Sequence, residues 1–541
     1  MKISQTPSPF HKGEILAQKR AGANDIAQWA GDFIRDYLPE QHRDFYTHLP
    51  FLIVCGSDNQ RNVWITLIEG DEDFIQSPNK HLITLSAKIN DDDPLKLSFS
   101  DGSHIGVLGI ELQNRRRNRF SGFIKALNTG YEIKIGQTFG NCPQYIHPRN
   151  WTREFTEKPL PAISSHELSN EQQRFITHAD TVFIGSGQLN ESEPLSSGFD
   201  ASHRGGEPGF VKVMTKTRLY LPDYSGNNFF NTIGNIISDG RIALVFIDFE
   251  TGGLLHISGH AKIDWEPVNP HDSAAKRMII IDIVNVIERP NALSLRWQKQ
   301  DDQLLNLKLI KREEESANIT SFYFSTVDNT PLAPYAGGQH LPIEIQIPGQ
   351  MGLSKRSYSL SSGYDDGQYY RISVKREEMG VVSRFLHDQF NTGETLKAGR
   401  PTGSFVIDNV DTPIVLISAG VGFTPLLSML QSLVEQTEKP VWYVHGTQNS
   451  HTHALHHEVK NITEQYNHFN HVTFYSKPLG NDKLGKDYNE TGRINAHYLI
   501  NLCKASNTQY FLCGTYGFMA EIRQNLESLG VLETHIHYES F

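Results

Sequence analysis

Residues 412–430 read TPIVLISAGVGFTPLLSML, which is an apolar run, two closely spaced glycines and a second apolar stretch. The first run predicts a buried β-strand, and the second predicts a helix with Thr424 as N-cap and Pro425 at its first position. Gly420 and Gly422, in the turn, would let the backbone approach a pyrophosphate closely. The spacing is not GxGxxG, so a plain turn is the alternative interpretation.

The sequence around this turn alternates between apolar strands and amphipathic helices. Further strands are predicted at KPVWYVHGT (439–447), HVTFYSKP (471–478) and TQYFLCGT (508–515), and a last helix at 517–530. This alternation indicates an α/β domain with a parallel sheet. Cys513 and Gly514 then end a strand, where open α/β sheets bind ligands. A buried structural cysteine is the alternative role for Cys513.

Before this domain, short strand-like segments from residue 305 to about 375 predict a β-barrel, and one of them is KRSYSLSSG (355–363). On a strand, Arg356 and Tyr358 share one face. Tyr358 could pack on a flavin ring, Arg356 could hold a phosphate and Ser359 could bond the ring edge. An ordinary strand end is the alternative.

The stretch RISVKREEMGVVSRFLHDQF (371–390) follows, with Gly380 and Ser383 where a helix is predicted to begin. The N–H groups and dipole at a helix start favour an anion. An ordinary helix cap would also explain this pattern.

In order, the RxYS, GVVS, AGVGFTP and CGxxxFM motifs and a terminal ExF resemble the ferredoxin–NADP reductase superfamily, in particular the reductase half of the flavohaemoglobins. The resemblance runs from about residue 305 to 541. It implies an antiparallel, six-stranded-type FAD-binding barrel followed by an α/β nicotinamide-binding domain. The residues that it implies for FAD are Arg356, Tyr358, Ser359, Leu360, Val374, Lys375, Gly380, Val381, Val382 and Ser383. Those that it implies for NADH or NADPH are Gly420, Gly422, Thr424, Pro425, Cys513 and Gly514.

The same resemblance implies a catalytic set near the reacting rings, namely Tyr358, Ser359, Cys513, Glu539 and Phe541. Phe541 would then cover the flavin face, whereas a terminal aromatic otherwise frays. Thr515 departs from the proline that the family commonly has after CG, which would loosen that turn. After VWYVH, the run GTQNSHTHALHHE offers no arginine to clamp a 2′-phosphate, which favours NADH over NADPH.

Four histidines in that run, His451, His453, His456 and His457, have no acidic or cysteine partner at fixed spacing. A solvated loop and helix start is therefore the preferred interpretation over a metal cluster, and no metal site is predicted.

The first half contains a repeat. GVLGIELQNRRRNRFSG begins at residue 106 and ALVFIDFETGGLLHISG at residue 243, an offset of 137 residues. FLIVCGSD (51–58) has a similar counterpart in TVFIGSGQ (181–188). Hairpins resemble one another by pattern alone, but paired segments in the same order favour duplication. Two small β-barrels in tandem are predicted.

SHRGGEPGFVKV (202–213) and YLPDYSGNNFFNTIGNI (220–236) resemble the pyridoxamine 5′-phosphate oxidase-like split barrels, which generally bind FMN and sometimes haem. The resemblance covers roughly residues 10–297. Asn227 replaces a residue that is often basic in related barrels, which puts FMN affinity in doubt. The cofactor-binding residues that we predict here are Ser202, His203, Arg204, Ser225, Asn227 and Asn228. Of the arginines 115, 116, 117 and 119, at least two are expected in a solvated hairpin, and Cys142 is not expected to be a nucleophile.

A chain of 541 residues is too long for one core. We predict two split-barrel halves (1–150 and 151–300), an FAD-binding barrel (301–408) and a nicotinamide-binding domain (409–541). The net charge of −11 indicates no nucleic-acid partner, no apolar run is long enough to span a bilayer, and four dispersed cysteines suit the cytoplasm.

The predicted function is an NAD(P)H:acceptor oxidoreductase that passes electrons through FAD to a split-barrel cofactor, FMN, and then to an unspecified acceptor. The alternative is a split barrel that binds haem or another ligand, with a fused reductase that reduces or releases that ligand. The chain is expected to be a monomer or a homodimer.

Overall fold

The computed structural model describes residues 8–23, 34–96, 98–140, 145–154, 160–189, 196–224, 226–267, 275–300, 304–328, 330–348, 353–364, 367–378 and 380–539. The chain divides into two compact units, Met1–Gln300 and Asp301–Phe541. No helix among these residues is long and apolar enough to cross a membrane.

The first half of the first unit forms a seven-stranded antiparallel sheet with the strand order β2-β1-β5-β6-β7-β4-β3. Helices α1 (Lys12–Arg20) and α2 (Glu40–Thr47) precede the sheet. Its strands are β1 (Phe51–Ser57), β2 (Val63–Glu69), β3 (Ile75–Asn79), β4 (Leu82–Leu85), β5 (His104–Glu111), β6 (Arg116–Leu127) and β7 (Gly130–Gly140).

The second half forms another antiparallel sheet with the order β11-β10-β14-β15-β16-β13-β12, and β9 pairs with β16. Between the halves, β8 (Arg149–Arg153) pairs with β17 (Leu295–Lys299). The other strands are β9 (Ile163–Ser165), β10 (Thr181–Gln188), β11 (Gly198–Gly205), β12 (Lys212–Thr215), β13 (Arg218–Asp223), β14 (Arg241–Ile247), β15 (Leu254–Asp264) and β16 (Arg277–Arg289). Among the described residues of this half, the helices are α3 (Asn170–His178) and α4 (Asn231–Ser238).

The two sheets are copies of one topology, because each strand of the first corresponds in order to the strand nine positions later. Even a bulge recurs: the ladder shifts register at Ser121/Gly122 and again at Ser258/Gly259, which are 137 residues apart. The predicted repeat is therefore confirmed. Closure of the sheets into split barrels stays a prediction.

Both faces of the central strands are buried, which explains their nearly continuous apolar runs. On β10, Val182 and Ile184 point into the core of the second half, while Phe183 joins a cluster shared by both halves. In that shared cluster, Gly185 leaves room for its repeat counterpart Cys55, because a Cβ at residue 185 would lie 2.6 Å from Cys55 Sγ. The burial of apolar side chains from both halves in this shared cluster therefore holds the halves together.

The second unit begins with a six-stranded antiparallel sheet in the order β21-β20-β23-β18-β19-β22. Its strands are β18 (Leu305–Ser316), β19 (Ile319–Thr326), β20 (His340–Gln346), β21 (Leu353–Ser359), β22 (Tyr370–Lys375) and β23 (Thr395–Ala398), with helix α5 (Val381–Asp388). A bridge between Leu360 and Ile372 connects the two edge strands. The sheet is thereby closed into the predicted six-stranded barrel.

A six-stranded sheet follows in the order β27-β26-β25-β24-β28-β29, and every pairing in it is parallel. Its strands are β24 (Ile414–Ala419), β25 (Val441–Thr447), β26 (Phe469–Tyr475), β27 (Glu490–Thr491), β28 (Gln509–Cys513) and β29 (Ile536–Glu539). Its helices are α6 (Phe423–Leu433), α7 (His456–Gln465), α8 (Ala496–Leu502) and α9 (Tyr516–Ser528).

The predicted start of α6 is wrong by two residues. The helix begins at Phe423, after a 3₁₀ turn over Gly420–Gly422, and Gly422 is its N-cap. Thr424 and Pro425 therefore lie inside the first turn. Proline is tolerated there because the first backbone N–H groups of a helix have no intrahelical acceptor.

Candidate functional site

An open cleft lies where β6 of the first half faces β11 of the second, and the empty space among its lining residues, including the part that is open solvent, is about 830 Å³. Strand β6 supplies Arg117 and Arg119, and β11 supplies Ser202, His203 and Arg204. The ends of β11 and β13 add Gly205 and Asp223. Tyr145, the loop after β13 and the start of α4 complete the lining, and the loop and helix contribute Tyr224, Gly226, Asn227, Asn228, Phe230, Asn231, Thr232 and Ile233. The cleft thus needs both copies of the repeat.

The lining of this open cleft carries three guanidinium groups and one carboxylate. Arg119 Nη1 donates to Asp200 Oδ1 at 2.8 Å, and both side chains are nearly buried. Asp223 accepts a hydrogen bond of 2.9 Å from Arg277 Nε and lies 3.4 Å from Arg204 Nη2. Because cations outnumber anions in the lining, the cleft attracts a negatively charged ligand.

The buried Arg204 Nε and His203 Nε2 atoms lie in the cleft lining and lack a hydrogen-bond partner among the described residues. Leaving such an atom unsatisfied costs about 1–3 kcal/mol. Burial and the nearby Arg117 charge lower the pKa of His203 well below its usual value, so its ring is neutral at pH 7. A polar, anionic ligand would satisfy these groups.

Five of the six residues predicted for the first unit line the cleft, namely Ser202, His203, Arg204, Asn227 and Asn228. Ser225 and Cys142 lie outside the described residues. Of the four clustered arginines, Arg117 and Arg119 line the cleft. Arg116 instead packs over the Phe45 ring, 5.2 Å from its centroid.

In the second unit, the RxYS segment occupies the end of β21. Arg356 is exposed, Tyr358 is half-buried against the barrel core, and Ser359 points to the opposite face with its buried Oγ lacking a partner among the described residues. Burial raises the pKa of Tyr358 to about 12, so the phenol stays protonated. The segment therefore offers a cation and an aromatic ring on one side of the strand.

The bridge from Leu360 to Ile372 brings this segment beside β22, whose end carries buried Val374 and half-buried Lys375. Helix α5 then begins at Val381, as predicted, and His387 Nε2 lies 2.9 Å from Val374 O. This contact fixes the helix on the strand.

Around the start of α5, Gly380 is the N-cap. Ser383 Oγ accepts a hydrogen bond from Glu377 N at 3.3 Å. Val381 is exposed, whereas Val382 is buried in the barrel core. The predicted FAD-binding residues thus lie on three connected elements, β21, β22 and α5.

The Gly420–Gly422 turn of the parallel-sheet domain packs closely against the end of β28. A Cβ on Gly422 would lie 2.2 Å from Cys513 O and 2.6 Å from Gly514 N. Gly420 adopts a φ of 57°, which favours glycine. The two predicted nicotinamide-binding segments therefore meet at the carboxyl ends of adjacent strands, β24 and β28. Thr515 has a φ of −67°, the value that proline would impose, so the turn keeps its shape.

Cys513 and Glu539 are paired residues on β28 and β29. Burial raises the pKa of the Cys513 thiol well above its usual value, so a thiolate role is excluded at neutral pH. Glu539 is half-buried, but its Oε2 atom is buried and has no partner among the described residues, and burial raises its pKa to about 8. Glu539 is therefore a protonated acid at pH 7. Phe541 lies outside the described residues.

Sequence reasoning missed the residues that connect the two motif regions. Ser428 Oγ donates to Ser362 O at 2.6 Å, and Gln431 Oε1 accepts from Gly363 N at 2.6 Å. Both side chains lie on α6, roughly two turns beyond the glycine turn, and both hydrogen-bond to the backbone just after the RxYS segment. The close approach needs small residues, since a Cβ on Gly337 would lie 2.8 Å from Met429 Cα.

The predicted solvated histidine loop is wrong at His453. This residue is buried, its ring packs between those of His445 and His456 at 5.2 and 5.0 Å, and its Nδ1 lies 3.1 Å from Tyr475 Oη. His451 and His457 are exposed, as predicted, whereas ring packing accounts for the burial of His453. Helix α7 does begin at His456. The described residues contain no group of three or more metal-ligating side chains placed to hold an ion.

Residues 306–407 match the family described as oxidoreductase FAD-binding domain, and residues 416–524 match the oxidoreductase NAD-binding domain. The flavohemoprotein of Bacillus cereus (strain ATCC 10987 / NRS 248) is 38% identical over 243 residues, which is 44% of this chain and 60% of that protein. The flavohemoprotein of Rhizobium meliloti (strain 1021) is 39% identical over 43% of this chain and 60% of its own length. The chain thus spans about 60% of the length of these curated relatives.

Among solved structures, the flavohem-like FAD/NAD-binding domain of nitric oxide dioxygenase from Vibrio cholerae O1 biovar El Tor is 31% identical. It covers 44% of this chain and 98% of its own, with a TM-score of 0.40. The flavohemoglobin of Malassezia yamatoensis is 25% identical over 44% of this chain and 60% of its own, with a TM-score of 0.39. The C-terminal part of the chain thus contains an oxidoreductase FAD-binding domain followed by an oxidoreductase NAD-binding domain, with flavohemoprotein-like homology.

Proposed function

We propose that the protein takes electrons from NADH or NADPH through FAD in its second unit and passes them to FMN in the open cleft of its first unit, and then to an acceptor. The observation that carries the FMN assignment is the cationic cleft built by both halves of the repeat. A phosphate suits Arg117 and Arg204, and it would satisfy the buried Arg204 Nε. We also propose the split-barrel fold for both halves, and the four-domain division at residues 150, 300 and 408.

Within the second unit, the proposal assigns FAD to the exposed Arg356, the half-buried Tyr358 and the buried Ser359, together with the start of α5. It assigns the nicotinamide dinucleotide to the Gly420–Gly422 turn and the adjoining Cys513–Gly514 segment. When bound, the flavins supply the redox chemistry, and the protein supplies orientation and electrostatics. Glu539, protonated at pH 7, can donate a hydrogen bond or a proton there.

A second candidate for the cleft is haem, and His203 is the observation that favours it. Its buried Nε2 has no partner among the described residues, and its lowered pKa keeps the imidazole neutral, as a metal ligand requires. In this version the reductase reduces or releases the ligand held by the first unit. The polar, cationic lining favours FMN over this alternative.

Cofactor extraction with mass identification tests the proposal. We expect both FAD and FMN, and bleaching of the flavin absorbance on titration with NADH. Arg204→Ala should lose FMN while it retains FAD. Arg218→Ala, an exposed arginine on β13 paired with Asp282, should retain both. A Soret band would instead support haem, and a protein that stays colourless after reconstitution with FAD and FMN would contradict both versions.

A further inference from the structure

The duplication creates two equivalent positions in the first unit, and the strand register identifies their residues. Strand β15 repeats β6, so the offset of 137 makes Leu254 and His256 the counterparts of Arg117 and Arg119. Strand β2 likewise corresponds to β11. Val54 on β1 is the counterpart of Ile184 on β10, and their cross-strand partners are Thr66 and Ser202. Thr66 is therefore the counterpart of Ser202. The register therefore identifies the residues that line the second position, which is the repeat counterpart of the open cleft.

The counterparts carry almost none of the cleft's charge. Along β2, Leu67 and Ile68 stand where β11 has His203 and Arg204. Both are buried, as are Leu254 and Thr66. Three arginines of the open cleft are thus replaced by two apolar residues and one histidine.

Of these counterparts, only His256 can carry a positive charge. His256 is fully buried, its Nδ1 lies 3.0 Å from Ile65 O, and burial lowers its pKa to about 4. Its ring is therefore neutral at pH 7.

An acidic loop and one arginine fill this second position, which we call the closed position. Arg289 Nη1 donates to Asp93 Oδ2 at 2.6 Å, and Arg289 Nη2 donates to Asp92 Oδ1 at 2.8 Å. Thr66 Oγ1 also donates to Asp93 Oδ2, at 2.5 Å. The loop follows β4, just as the Asn227–Asn228 loop of the open cleft follows β13.

The ion pair at the closed position is buried and complete. Arg289 and Asp93 are each 2% exposed, and Asp92 is 32% exposed. The single arginine is matched by two carboxylates, so an incoming phosphate would meet like charge and would have to break a buried pair. The electrostatics at this position are thus opposite to those of the open cleft.

We propose that only one of the two duplicated positions binds a phosphate-bearing cofactor, so that the first unit takes one FMN per chain rather than two. The Arg289–Asp92–Asp93 cluster has converted the other position into a structural contact. This inference rests on the proposed function, since it concerns the cofactor assigned to the open cleft.

The test is the molar ratio of FMN to FAD in the purified, reconstituted full chain, with one variant at each position. We expect a ratio of about one in the unmodified protein and near zero in Arg204→Ala. Asp92→Asn at the closed position should keep the ratio near one, because Asp93 still holds Arg289.

A ratio of two in the unmodified protein would overturn the inference and leave the proposed function intact. So would a ratio that stays near one in Arg204→Ala but falls in Asp92→Asn, since the cofactor would then occupy the closed position. FAD without any FMN after reconstitution would instead overturn the FMN assignment, and with it the inference.

Discussion

Arg371 and Glu458 form a two-pronged ion pair that joins the flavin-type barrel to a helix of the parallel-sheet domain. Arg371 Nη1 lies 2.5 Å from Glu458 Oε1, and Nη2 lies 2.9 Å from Oε2. Gln431 Nε2 also donates to Glu458 Oε2 at 2.6 Å. Gln431 Oε1 also accepts a hydrogen bond from Gly363 N. This network therefore connects β22, α6, α7 and the segment after the RxYS motif.

Glu458→Gln should therefore destabilise the second unit by about 1–3 kcal/mol, because it leaves the buried Arg371 guanidinium without a charged partner. The partial exposure of Glu458 (31%) keeps the expected loss below that of a fully buried pair. Thermal or urea unfolding of the full chain measures the effect. Glu464→Gln on the same helix removes an exposed pair with Lys460 and should cost less than about 0.5 kcal/mol. Equal effects of the two variants would contradict this prediction.

Gly422→Ala should disrupt nicotinamide binding, because the new methyl group would lie 2.2 Å from Cys513 O and force the two turns apart. Overpacking of this kind typically costs about 1–3 kcal/mol, and the shifted turn should raise KM for NADH at least tenfold. Gly517→Ala is the control, since a Cβ there meets no atom within 4 Å and alanine favours helix α9. Steady-state kinetics of both variants, with FAD content monitored, checks the prediction. A normal KM in Gly422→Ala would refute it.

Arg356→Ala should weaken FAD binding roughly 10- to 100-fold, because a charge-assisted contact to phosphate contributes about 1.5–3 kcal/mol. Lys355→Ala is the control from the adjacent position, whose side chain points to the other face of β21 and pairs with Glu344 at 3.0 Å. Fluorescence titration of the apoprotein with FAD measures both affinities. Similar losses in the two variants would show that general positive charge, rather than Arg356, holds the cofactor.

The Glu539 carboxyl should make the free energy of unfolding of the chain fall as pH rises. Its pKa in the folded chain, about 8, lies above its ordinary value of 4.5, so the folded protein holds the proton more tightly. That stabilisation is full below about pH 4.5 and is lost as pH rises through 8. Relative to Glu539→Gln, the unmodified chain should lose stability on the order of a few kcal/mol between pH 5 and 9.

Melting temperatures of the unmodified chain, Glu539→Gln and Glu521→Gln across this pH range check the prediction. Glu521 is exposed on α9, so its variant should follow the unmodified chain at every pH. The carboxyl of Glu14 in the first unit has a similarly raised pKa of about 8, but it is present in all three proteins and cancels in the comparison. Parallel curves for Glu539→Gln and the unmodified chain would place the Glu539 carboxyl in solvent.

Local patterns were sufficient to predict the repeat, the strands and helices of the barrel and of the parallel sheet, and the glycine turn, because the pattern of each element lies within a few consecutive residues. An apolar strand followed by closely spaced glycines, as at Gly420–Gly422, predicts a tight turn, and the similar sequences of the two halves gave the same strands with the same bulge. The exact start of α6 was not predictable, because Gly422 and Thr424 are both favourable N-cap residues.

Pairings between distant residues were decided only by the tertiary structure. Arg371 and Glu458 are 87 residues apart, and Arg289 and Asp93 are 196 apart. A charged residue in an apolar strand indicates that some partner exists, but no local rule identifies that partner. The same limit applies to the repeat: the sequence indicates two similar halves, whereas burial and long-range ion pairing make one position an open cationic cleft and the other a closed contact.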